Sequence, residues 1–244
     1  MIIIKLGGSV ITDKKAYRKF RPDITNSIIQ YIMKLNERII LVHGGGSFGH
    51  IKSHEYGLPG PANERSRIGF SIVHRDMAEL NNLVSSIAIG MGMPIISVPI
   101  SSIYCCGKID YSTMEEYAES GFVPASYGDV YIKDRNTYGI YSGDDIVLDL
   151  ARIFRPDRVM FLTDVDGIYD RDPKKYADAK LLHSLNESFT LGIVENDVTG
   201  GIKNKMKAMH SISEFCNSVY LMNGFHPERM MDAGSEKFIG TVIR

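Results

Sequence analysis

Two glycine-rich turns, each following an apolar and strand-like run, are the segments of this chain best suited to chemistry. The first turn is Gly7-Gly8-Ser9, with Lys5 just ahead of it. The second turn runs from Gly44 to Gly46 and leads to His50. Backbone N–H groups in such turns can face an anion without Cβ atoms in the way. The pair predicts two phosphate-binding positions, one beside a lysine and one beside a histidine.

Two phosphate positions in one protein predict transfer of a phosphoryl group between two anions. Such a reaction asks mainly for positioning and for positive charge around the migrating group. Lys5, Lys14 and Lys205 each lie near a glycine-rich or polar turn and are candidate point charges for phosphate oxygens. Lys5 interrupts an apolar run, where a buried ammonium needs a partner, so it is the strongest of the three candidates.

The second glycine turn also fits the spacing of two other nucleotide-binding motifs. Gly44 to Gly49 matches G-x-G-x-x-G, but residues 61–77 lack a second strand ending in the acidic residue that a dinucleotide site needs. The same segment has Walker A spacing, yet His50 and Ile51 occupy the positions of the required Lys and Ser/Thr. A nicotinamide site and a P-loop are both disfavoured.

Three further segments place polar groups where a strand ends or a helix begins. Asp144 and Asp145 precede a predicted helix over residues 146–153, where they could cap the helix, hold lysines in place or bind Mg²⁺. The run from Thr163 to Tyr169 follows a predicted strand, and open α/β sheets bind ligands outside such strand ends. The pair Gly200-Gly201 opens a lysine-rich helix, which suits an anion site or a solvated basic face.

Composition limits the class of protein. The 244 residues, 44% of them hydrophobic, can bury one substantial core, and the net charge of −1 does not favour a nucleic-acid or membrane partner. The three cysteines have no disulfide or zinc spacing, which predicts reduced thiols in the cytoplasm and no metal cluster. The apolar stretch 85–106 is broken by glycines and prolines, which favours a soluble protein over a membrane span.

Strand-like runs alternate with helical segments along most of the chain, which predicts an α/β fold with a mainly parallel sheet. A helix should start near residue 22, a capping box is predicted from Ser112 to Glu115, and residues 129–141 read as a hairpin. We expect a single domain over residues 1–244, with two lobes that divide near residues 140–155. The predicted strands cover residues 1–6, 38–43, 94–98, 122–126, 157–163, 217–222 and 238–242.

The chemical segments occur in a fixed order between residues 1 and 205. They are Lys5-x-Gly-Gly-Ser9, Val42-His-Gly-Gly-Gly46, Ser142-Gly-Asp144, Thr163-Asp-Val-Asp-Gly-Ile-Tyr169 and Asp197-x-Thr-Gly-Gly-x-x-x-Lys205. In this order they resemble the amino acid kinase superfamily, which includes acetylglutamate, uridylate, glutamate-5- and carbamate kinases. The resemblance implies a three-layer αβα sandwich, with the acceptor phosphate bound by residues 1–145 and ATP by residues 146–244.

Within that superfamily, the run from Gly44 to His50 is similar to the archaeal-type isopentenyl phosphate kinases. Three shorter stretches strengthen the likeness: Gly57-Leu-Pro-Gly60, Val73-His-Arg-Asp76 and Ser126-Tyr-Gly-Asp-Val130. Those enzymes transfer the γ-phosphoryl group of ATP to isopentenyl phosphate in isoprenoid biosynthesis. The likeness implies ATP and Mg²⁺ as cofactors, isopentenyl phosphate as the small-molecule substrate, and a homodimer.

The resemblance also implies roles for individual residues. Lys5 and Lys205 would contact the transferring group and the ATP phosphates, and Lys14 would stabilise charge in the transition state. Asp144 would orient the lysines, and His50 would donate a hydrogen bond to the acceptor phosphate. Lys203 makes it ambiguous which lysine of the last motif reaches ATP, although the spacing favours Lys205. The acceptor phosphate would also be bound by backbone N–H groups around Gly8, Gly45, Gly46 and Gly128.

The remaining implied contacts divide between the nucleotide and the hydrocarbon tail. The tail needs an apolar cleft, which Phe70, Val73 and Met77 could line, although their helical spacing is also that of an ordinary core-facing stripe. On the nucleotide side, the implied residues are Gly7, Gly8, Ser9, Gly46, Thr163, Asp164, Tyr169, Asp172, Gly200 and Gly201.

Two alternatives stay open at the level of sequence. A relative that phosphorylates another small phosphate or phosphonate, such as fosfomycin, would use the same histidine, because His50 would contact phosphate rather than the tail. A binding protein that kept the fold and lost catalysis would need nucleotide contacts alone. The presence of Lys5, Lys14, His50, Asp144 and Lys205 together argues against loss of catalysis.

Overall fold

The computed structural model describes residues 1–105, 107–171, 173, 175–176, 178–185 and 200–244, apart from the side chains of Cys105 and residues 200–205. Within these ranges the central sheet contains β1 (Ile2–Leu6), β2 (Ile39–His43), β4 (Ile95–Ser97), β7 (Val123–Tyr127), β10 (Arg158–Thr163), β13 (Ser184–Leu185), β14 (Ser218–Asn223) and β15 (Thr241–Ile243). The smaller strands are β3 (Gly60–Pro61), β5 (Tyr104–Cys105), β6 (Lys108–Ile109), β8 (Asp129–Asp134), β9 (Thr137–Tyr141), β11 (Ile168–Tyr169) and β12 (Leu181–Leu182). The helices are α1 (Gly8–Ile11), α2 (Pro22–Lys34), α3 (Gly46–Tyr56), α4 (Glu64–Gly90), α5 (Ile100–Ile103), α6 (Ser112–Glu119), α7 (Gly143–Phe154) and α8 (Gly200–Ser213), followed by a 3₁₀ helix at Pro227–Asp232.

The sheet is almost entirely parallel in the part of the chain that is described. Its strand order is β13–β15–β14–β10–β1–β2–β7–β4, and only the β14–β15 pair is antiparallel. Each of the seven predicted runs contains or overlaps one of these strands, the last being shorter than predicted. The predicted α/β class with a mainly parallel sheet is confirmed. The central position of β1 explains its unbroken burial, because strands inside a parallel sheet are covered on both faces.

Two apolar cores, one on each face of the sheet, make the fold a three-layer αβα sandwich. Successive side chains of a strand point to opposite faces. Ile2 and Ile4 therefore lie in a core with side chains of α2 and α4, whereas Ile3 lies in a core with side chains of α7 and α8. By the same alternation Lys5 falls on the α7 face, where its ammonium finds a carboxylate.

The helix starts agree only in part with those expected from sequence. Helix α2 begins at Pro22 as predicted, and residues 129–141 form the predicted hairpin from β8 and β9. The capping box predicted for Ser112 and Glu115 is wrong, because Tyr111 is the N-cap residue and makes no side-chain cap. The Asp110 carboxylate accepts the Ser112 N–H at 3.0 Å, and this local bond starts the helix one residue early. Within the described ranges, no helix is long and apolar enough to cross a membrane.

His43 should make the fold sensitive to acid. Its ring is fully buried, stacks on Tyr127 at 5.2 Å between centroids, and has its nitrogens 3.2 Å from the Gly44 carbonyl and 3.3 Å from Asn81 Oδ1. Burial lowers the pKa of this imidazole from 6.5 to about 4. The unfolded chain therefore binds a proton between these two values that the folded chain does not. We expect the free energy of unfolding to fall by up to about 1.4 kcal/mol per pH unit as the pH drops through this window.

Urea denaturation of the parent and of His43→Gln between pH 7 and pH 4 measures this contribution. The variant should lose stability less steeply than the parent as the pH falls. His54→Gln, on the exposed side of α3, is the matched control and should follow the parent. Parallel curves for the parent and His43→Gln would contradict the assignment.

Candidate functional site

Three helices begin at one corner of the sheet, where β1 and β2 end. Helix α1 starts at Gly8 after β1, α3 starts at Gly46 after β2, and α7 starts at Gly143 on the face that carries Lys5. The first N–H groups of a helix have no intrahelical acceptor, so each start is a favourable place for an anion. A cavity of about 250 Å³ opens at this corner, and all three glycines line it.

The two predicted glycine turns form one unit, which we call the glycine cradle and define as the backbone of Gly8, Gly45 and Gly46. A Cβ on Gly8 would lie 2.2 Å from the Gly46 nitrogen, so side chains are excluded where the turns meet. Thr12 joins the turns, since its Oγ1 donates to the Gly8 carbonyl at 2.6 Å and accepts the Ser47 N–H at 2.9 Å. The predicted pair of phosphate positions therefore lies side by side.

Lys5 and Asp144 form an ion pair at the back of the cavity. Their Nζ and Oδ1 atoms are 2.5 Å apart, and the two side chains are 11% and 33% exposed. The neighbouring carboxylate has a different task, because Asp145 and Ser142 form a capping box at the start of α7. Asp145 therefore has the predicted cap position and Asp144 holds a lysine, whereas binding of Mg²⁺ stays a prediction.

Lys14 and Ser9 both contact Asp164 at the same corner. Lys14 Nζ lies 3.2 Å from Asp164 Oδ2, and Ser9 Oγ donates to Asp164 Oδ1 at 2.9 Å. The Lys14 side chain is 60% exposed, in contrast to the buried Lys5. Lys5, Ser9, Lys14 and Thr163 all line the cavity. The structure thus brings together two of the three predicted cations, one fixed and one at the mouth.

His50 lies in α3 and lines the same cavity as Lys5. The surrounding protein removes water from the imidazole and lowers its pKa, and the charges of Lys14 and Lys5 lower it further. At neutral pH the ring is therefore uncharged and offers a single N–H donor. An anion placed between His50 and the two lysines would be attracted by all three groups.

One side of the cavity is apolar. Val73 and Met77 of α4 line it as predicted, together with Val130 and Ile140 of the β8–β9 hairpin, which sequence reasoning missed. Phe70 does not belong to this wall, because its ring packs at 5.1 Å from the ring of Tyr138. Val130 and Ile140 were not predicted, because the alternation of side chains in a hairpin does not show which part of the protein its inner face contacts.

Gly128 lines the cavity, but its N–H does not serve the cradle as expected. This N–H donates to the His43 carbonyl at 3.3 Å, so Gly128 contributes only a bare surface. The next residue ties the hairpin to α4, because Asp129 Oδ2 lies 2.6 Å from His74 Nδ1. Burial raises the pKa of Asp129 against the effect of this histidine.

Tyr169 lies outside the cavity lining and belongs to a neighbouring polar network. Its hydroxyl donates to Asp166 Oδ2 at 3.2 Å. Asp166 Oδ1 also accepts from Asn223 Nδ2 at 3.0 Å and from Arg229 Nη1 at 2.6 Å. Asp166 was recognised from the sequence only as part of a motif. Its partners were not predicted, because residues 166 and 229 are too far apart in the chain for their spacing to relate them.

Several predicted nucleotide contacts fall outside the described structure. Asp172 and Asp197 lie outside the described residues, as do the side chains of Lys203 and Lys205. Helix α8 does begin at Gly200, so the Gly200-Gly201 pair opens a helix as predicted. Which lysine of this helix reaches ATP stays a prediction.

The loop that carries Lys14 is fastened to α4 by a buried carboxylate. The loop closes through an antiparallel bridge between Thr12 and Phe20. Tyr17 donates from its hydroxyl to Asp76 Oδ2 at 2.5 Å, and the Asp76 side chain is 0% exposed. Arg18 adds an ion pair with Glu79 of the same helix. These contacts fix the segment on both sides of Lys14.

Tyr17→Phe should therefore slow turnover without weakening substrate binding. Loss of a hydrogen bond to a charged group releases the Lys14 loop, and we expect kcat to fall about tenfold. Both KM values should stay within about twofold, and the melting temperature should fall by only a few degrees. The control is Tyr31→Phe, since the Tyr31 hydroxyl of α2 makes no hydrogen bond among the described residues and the Lys34 ammonium lies over its ring. A rise in KM at unchanged kcat would show that the hydroxyl does not position Lys14.

The chain is similar in sequence and in structure to known proteins. The amino acid kinase family profile matches residues 1–223. The chain is 56% identical over 245 residues to the isopentenyl phosphate kinase of Thermoplasma acidophilum, with 100% of both chains covered. It is 35% identical over 235 residues to the isopentenyl phosphate kinase of Methanothermobacter thermautotrophicus, covering 88% of this chain and 87% of the relative. The crystal structure of the T. acidophilum isopentenyl phosphate kinase product complex superposes with a TM-score of 0.92 at 52% identity, again with full coverage of both chains.

Proposed function

Because the chain belongs to the amino acid kinase family, on the branch of the isopentenyl phosphate kinases, we propose that it phosphorylates isopentenyl phosphate with ATP. The products are isopentenyl diphosphate and ADP. Full-length identity of 56% to such a kinase supports this substrate. The structural observation that carries the proposal is a single cavity that joins Lys5, Lys14 and His50 to the glycine cradle and to an apolar wall.

The reaction joins two anions, so the main task of the site is to cancel their repulsion. Lys5 pairs with Asp144 and Lys14 pairs with Asp164 in the free protein. When substrates enter, Lys14 would exchange its carboxylate for phosphate oxygens, whereas Lys5 would keep Asp144 and add phosphate oxygens. An acceptor phosphate oxygen forms a bond to the γ-phosphorus while the bond from that phosphorus to the ADP oxygen breaks. No general base is needed, because the acceptor oxygen is already ionised near neutral pH. His50 would donate its N–H to the acceptor phosphate.

Asp144 would position Lys5 rather than touch the reacting atoms. Its Oδ1 fixes the ammonium at the end of β1, and α7 in turn fixes the carboxylate. Lys14 would contact the migrating phosphoryl group, since it lies at the mouth of the cavity and next to Asp164. We assign Lys205 to the ATP phosphates on the strength of the family motif alone.

Nucleotide and acceptor would occupy different parts of the chain, with the acceptor phosphate bound mainly by residues 1–145 and ATP by residues 146–244. Thr163 ends β10 and lines the cavity, and the next residue, Asp164, pairs with Lys14, which supports their placement on the donor side. The tail of the acceptor would lie against Val73, Met77 and the inner face of the hairpin. This wall is apolar and lies next to His50, as a short hydrocarbon attached to a phosphate requires.

Mg²⁺ would accompany ATP. Among the described residues, no group of three or more His, Cys, Asp or Glu side chains could hold a metal ion. That finding fits a cation bound mainly by phosphate oxygens and water with one or two carboxylates. Asp144 is the best candidate, because its Oδ2 makes no hydrogen bond within the described residues and Lys5 occupies only Oδ1. When bound, the ion would neutralise part of the negative charge of the ATP phosphates.

We also propose that the protein is a homodimer in the cytoplasm, where its cosubstrate ATP is available. The family resemblance supports the dimer. Sedimentation equilibrium of the purified protein distinguishes a mass near 27.3 kDa from twice that value.

Coupled ADP release tests the proposed activity. Isopentenyl phosphate should be turned over, whereas acetylglutamate and UMP should give only background rates and fosfomycin a much lower kcat/KM. A clear preference for fosfomycin would make the enzyme a phosphonate kinase and would overturn the substrate assignment. No phosphoryl transfer to any of the four acceptors would leave a nucleotide-binding protein without catalysis.

A further inference from the structure

A second cavity, which the proposed reaction does not use, opens on the other side of the β8–β9 hairpin. Its volume is about 610 Å³, and four tyrosines contribute to its walls. The ring of Tyr131 lies 5.2 Å from that of Tyr104 and 5.9 Å from that of Tyr141, both in edge-to-face contact. We call this space the tyrosine cavity and define it by Tyr104, Tyr111, Tyr131 and Tyr141.

Strand β9 lies between the tyrosine cavity and the cavity that contains Lys5 and His50, which we call the catalytic cavity. Different residues of β9 line the two cavities. Ile140 lines the catalytic cavity, and its neighbour Tyr141 lines the tyrosine cavity. Successive residues of a strand point to opposite faces, so the separation follows from the strand itself. Occupation of the two cavities can therefore be followed independently.

A carboxylate with one open oxygen lies in the wall of the tyrosine cavity. Asp149 Oδ2 accepts the hydroxyl of Tyr111 at 3.2 Å and also that of Tyr141. Burial raises the pKa of both phenols, so they stay protonated and keep donating to this oxygen. Asp149 Oδ1 makes no hydrogen bond within the described residues, although Asp149 lines the cavity. This oxygen is an acceptor that a ligand N–H could use.

Three cations surround the opening of the tyrosine cavity. Lys108, Lys133 and Arg152 all line it, and all three are exposed. In the described part of the chain none of them forms an ion pair with a carboxylate, although the Arg152 guanidinium lies 5.4 Å from the Phe215 ring centroid. The only carboxylate lining the cavity, among the residues that the structure describes, is Asp149, which is already bonded to two phenols. The rim therefore carries positive charge without a protein partner.

We propose that the tyrosine cavity binds a nucleoside phosphate. The base would pack against the tyrosine rings, a ring N–H or amino group would donate to Asp149 Oδ1, and the phosphate would contact the three rim cations. An isoprenoid diphosphate satisfies only part of this arrangement, because its hydrocarbon would lie against the open oxygen of Asp149 with no donor to offer it. The combination of aromatic walls, an acceptor and a cationic rim favours the nucleotide.

Methyl NMR on protein labelled at isoleucine tests the proposal, because different isoleucines report on the two cavities. Ile109 and Ile153 line the tyrosine cavity, whereas Ile140 lines the catalytic cavity. AMP, GMP, CMP and UMP are titrated separately, with inorganic phosphate and isopentenyl diphosphate as ligands without a base. We expect saturable shifts of Ile109 and Ile153 with at least one nucleotide and no comparable shifts with the two ligands that lack a base.

The double variant K133E/R152E should weaken nucleotide binding at Ile109 and Ile153 at least about tenfold, while ADP still shifts Ile140 as in the parent. K34E/K237E reverses two exposed charges elsewhere and should leave every titration unchanged. Absence of saturable shifts at Ile109 and Ile153 with all four nucleotides would overturn the proposal. Equal binding by K133E/R152E, or equal shifts with inorganic phosphate or isopentenyl diphosphate, would overturn it as well.

Discussion

Replacing Lys14 with alanine should lower kcat by about 10³–10⁵-fold, the range known for loss of a single cationic finger in phosphoryl transfer. Lys14 is the exposed cation at the mouth of the cavity, and among the described residues its ammonium forms an ion pair with Asp164 alone. That exposed pair contributes little to stability, so the folded state should be unaffected. The cost appears in the transition state, where charge on the migrating group loses its cation.

Two further variants serve as comparisons for Lys14→Ala. Lys15→Ala removes the adjacent exposed lysine and should keep the parent kcat. Lys14→Arg retains the charge and should recover part of the lost rate. Steady-state kinetics, with ATP binding measured separately by calorimetry, distinguish a chemical defect from a binding defect. A loss of less than tenfold in Lys14→Ala would remove this residue from the reaction.

The second large effect is expected from Gly46→Ala, which should destroy the glycine cradle. Gly46 has a φ of +49°, and a Cβ there would lie 2.0 Å from Thr12 Oγ1 and 2.4 Å from the Gly8 carbonyl oxygen. The new atom would push α1 and α3 apart at the point where both phosphates are to be bound. We expect a loss of about 4 kcal/mol or more in the free energy of unfolding and at least about a hundredfold loss of kcat/KM.

Gly57→Ala is the matched control, because Gly57 lies at the other end of α3 with a φ of +70° and no atom within 4 Å of the added Cβ. This variant suffers only the backbone strain, about 1 kcal/mol, and should keep its activity. Urea denaturation and steady-state kinetics of both variants separate the clash from the strain. Equal losses in the two variants would mean that the close contact with Gly8 is unimportant.

Much of this architecture could be predicted from local sequence, because it depends on neighbouring residues. Apolar runs located the strands, and the glycines after β1 and β2 located the cavity. The Asp144-Asp145 pair was found, but assigning one carboxylate to the cap and the other to Lys5 required the position of α7 over β1.

Contacts between distant segments could not be predicted. The hairpin side chains Val130 and Ile140 form part of the apolar wall only because the hairpin folds back over α4. Arg229 reaches Asp166 across 63 positions of the chain, and neither residue carries a local signal for the other. Local propensity also failed at α6, where the Asp110 side chain competed with the expected cap.

The central position of β1 has a consequence for how the protein is made. This strand is synthesised long before one of its two neighbours, β10, with which it pairs Ile2 opposite Arg158 and Leu6 opposite Leu162. The Lys5–Asp144 pair likewise spans 139 positions. The very apolar β1 must therefore stay unpaired on this side until partners synthesised much later are available, which lengthens its exposure to aggregation. The corner that contains Lys5 and the glycine cradle is completed late in synthesis, so nascent fragments that end before β10 should have no competence for phosphoryl transfer.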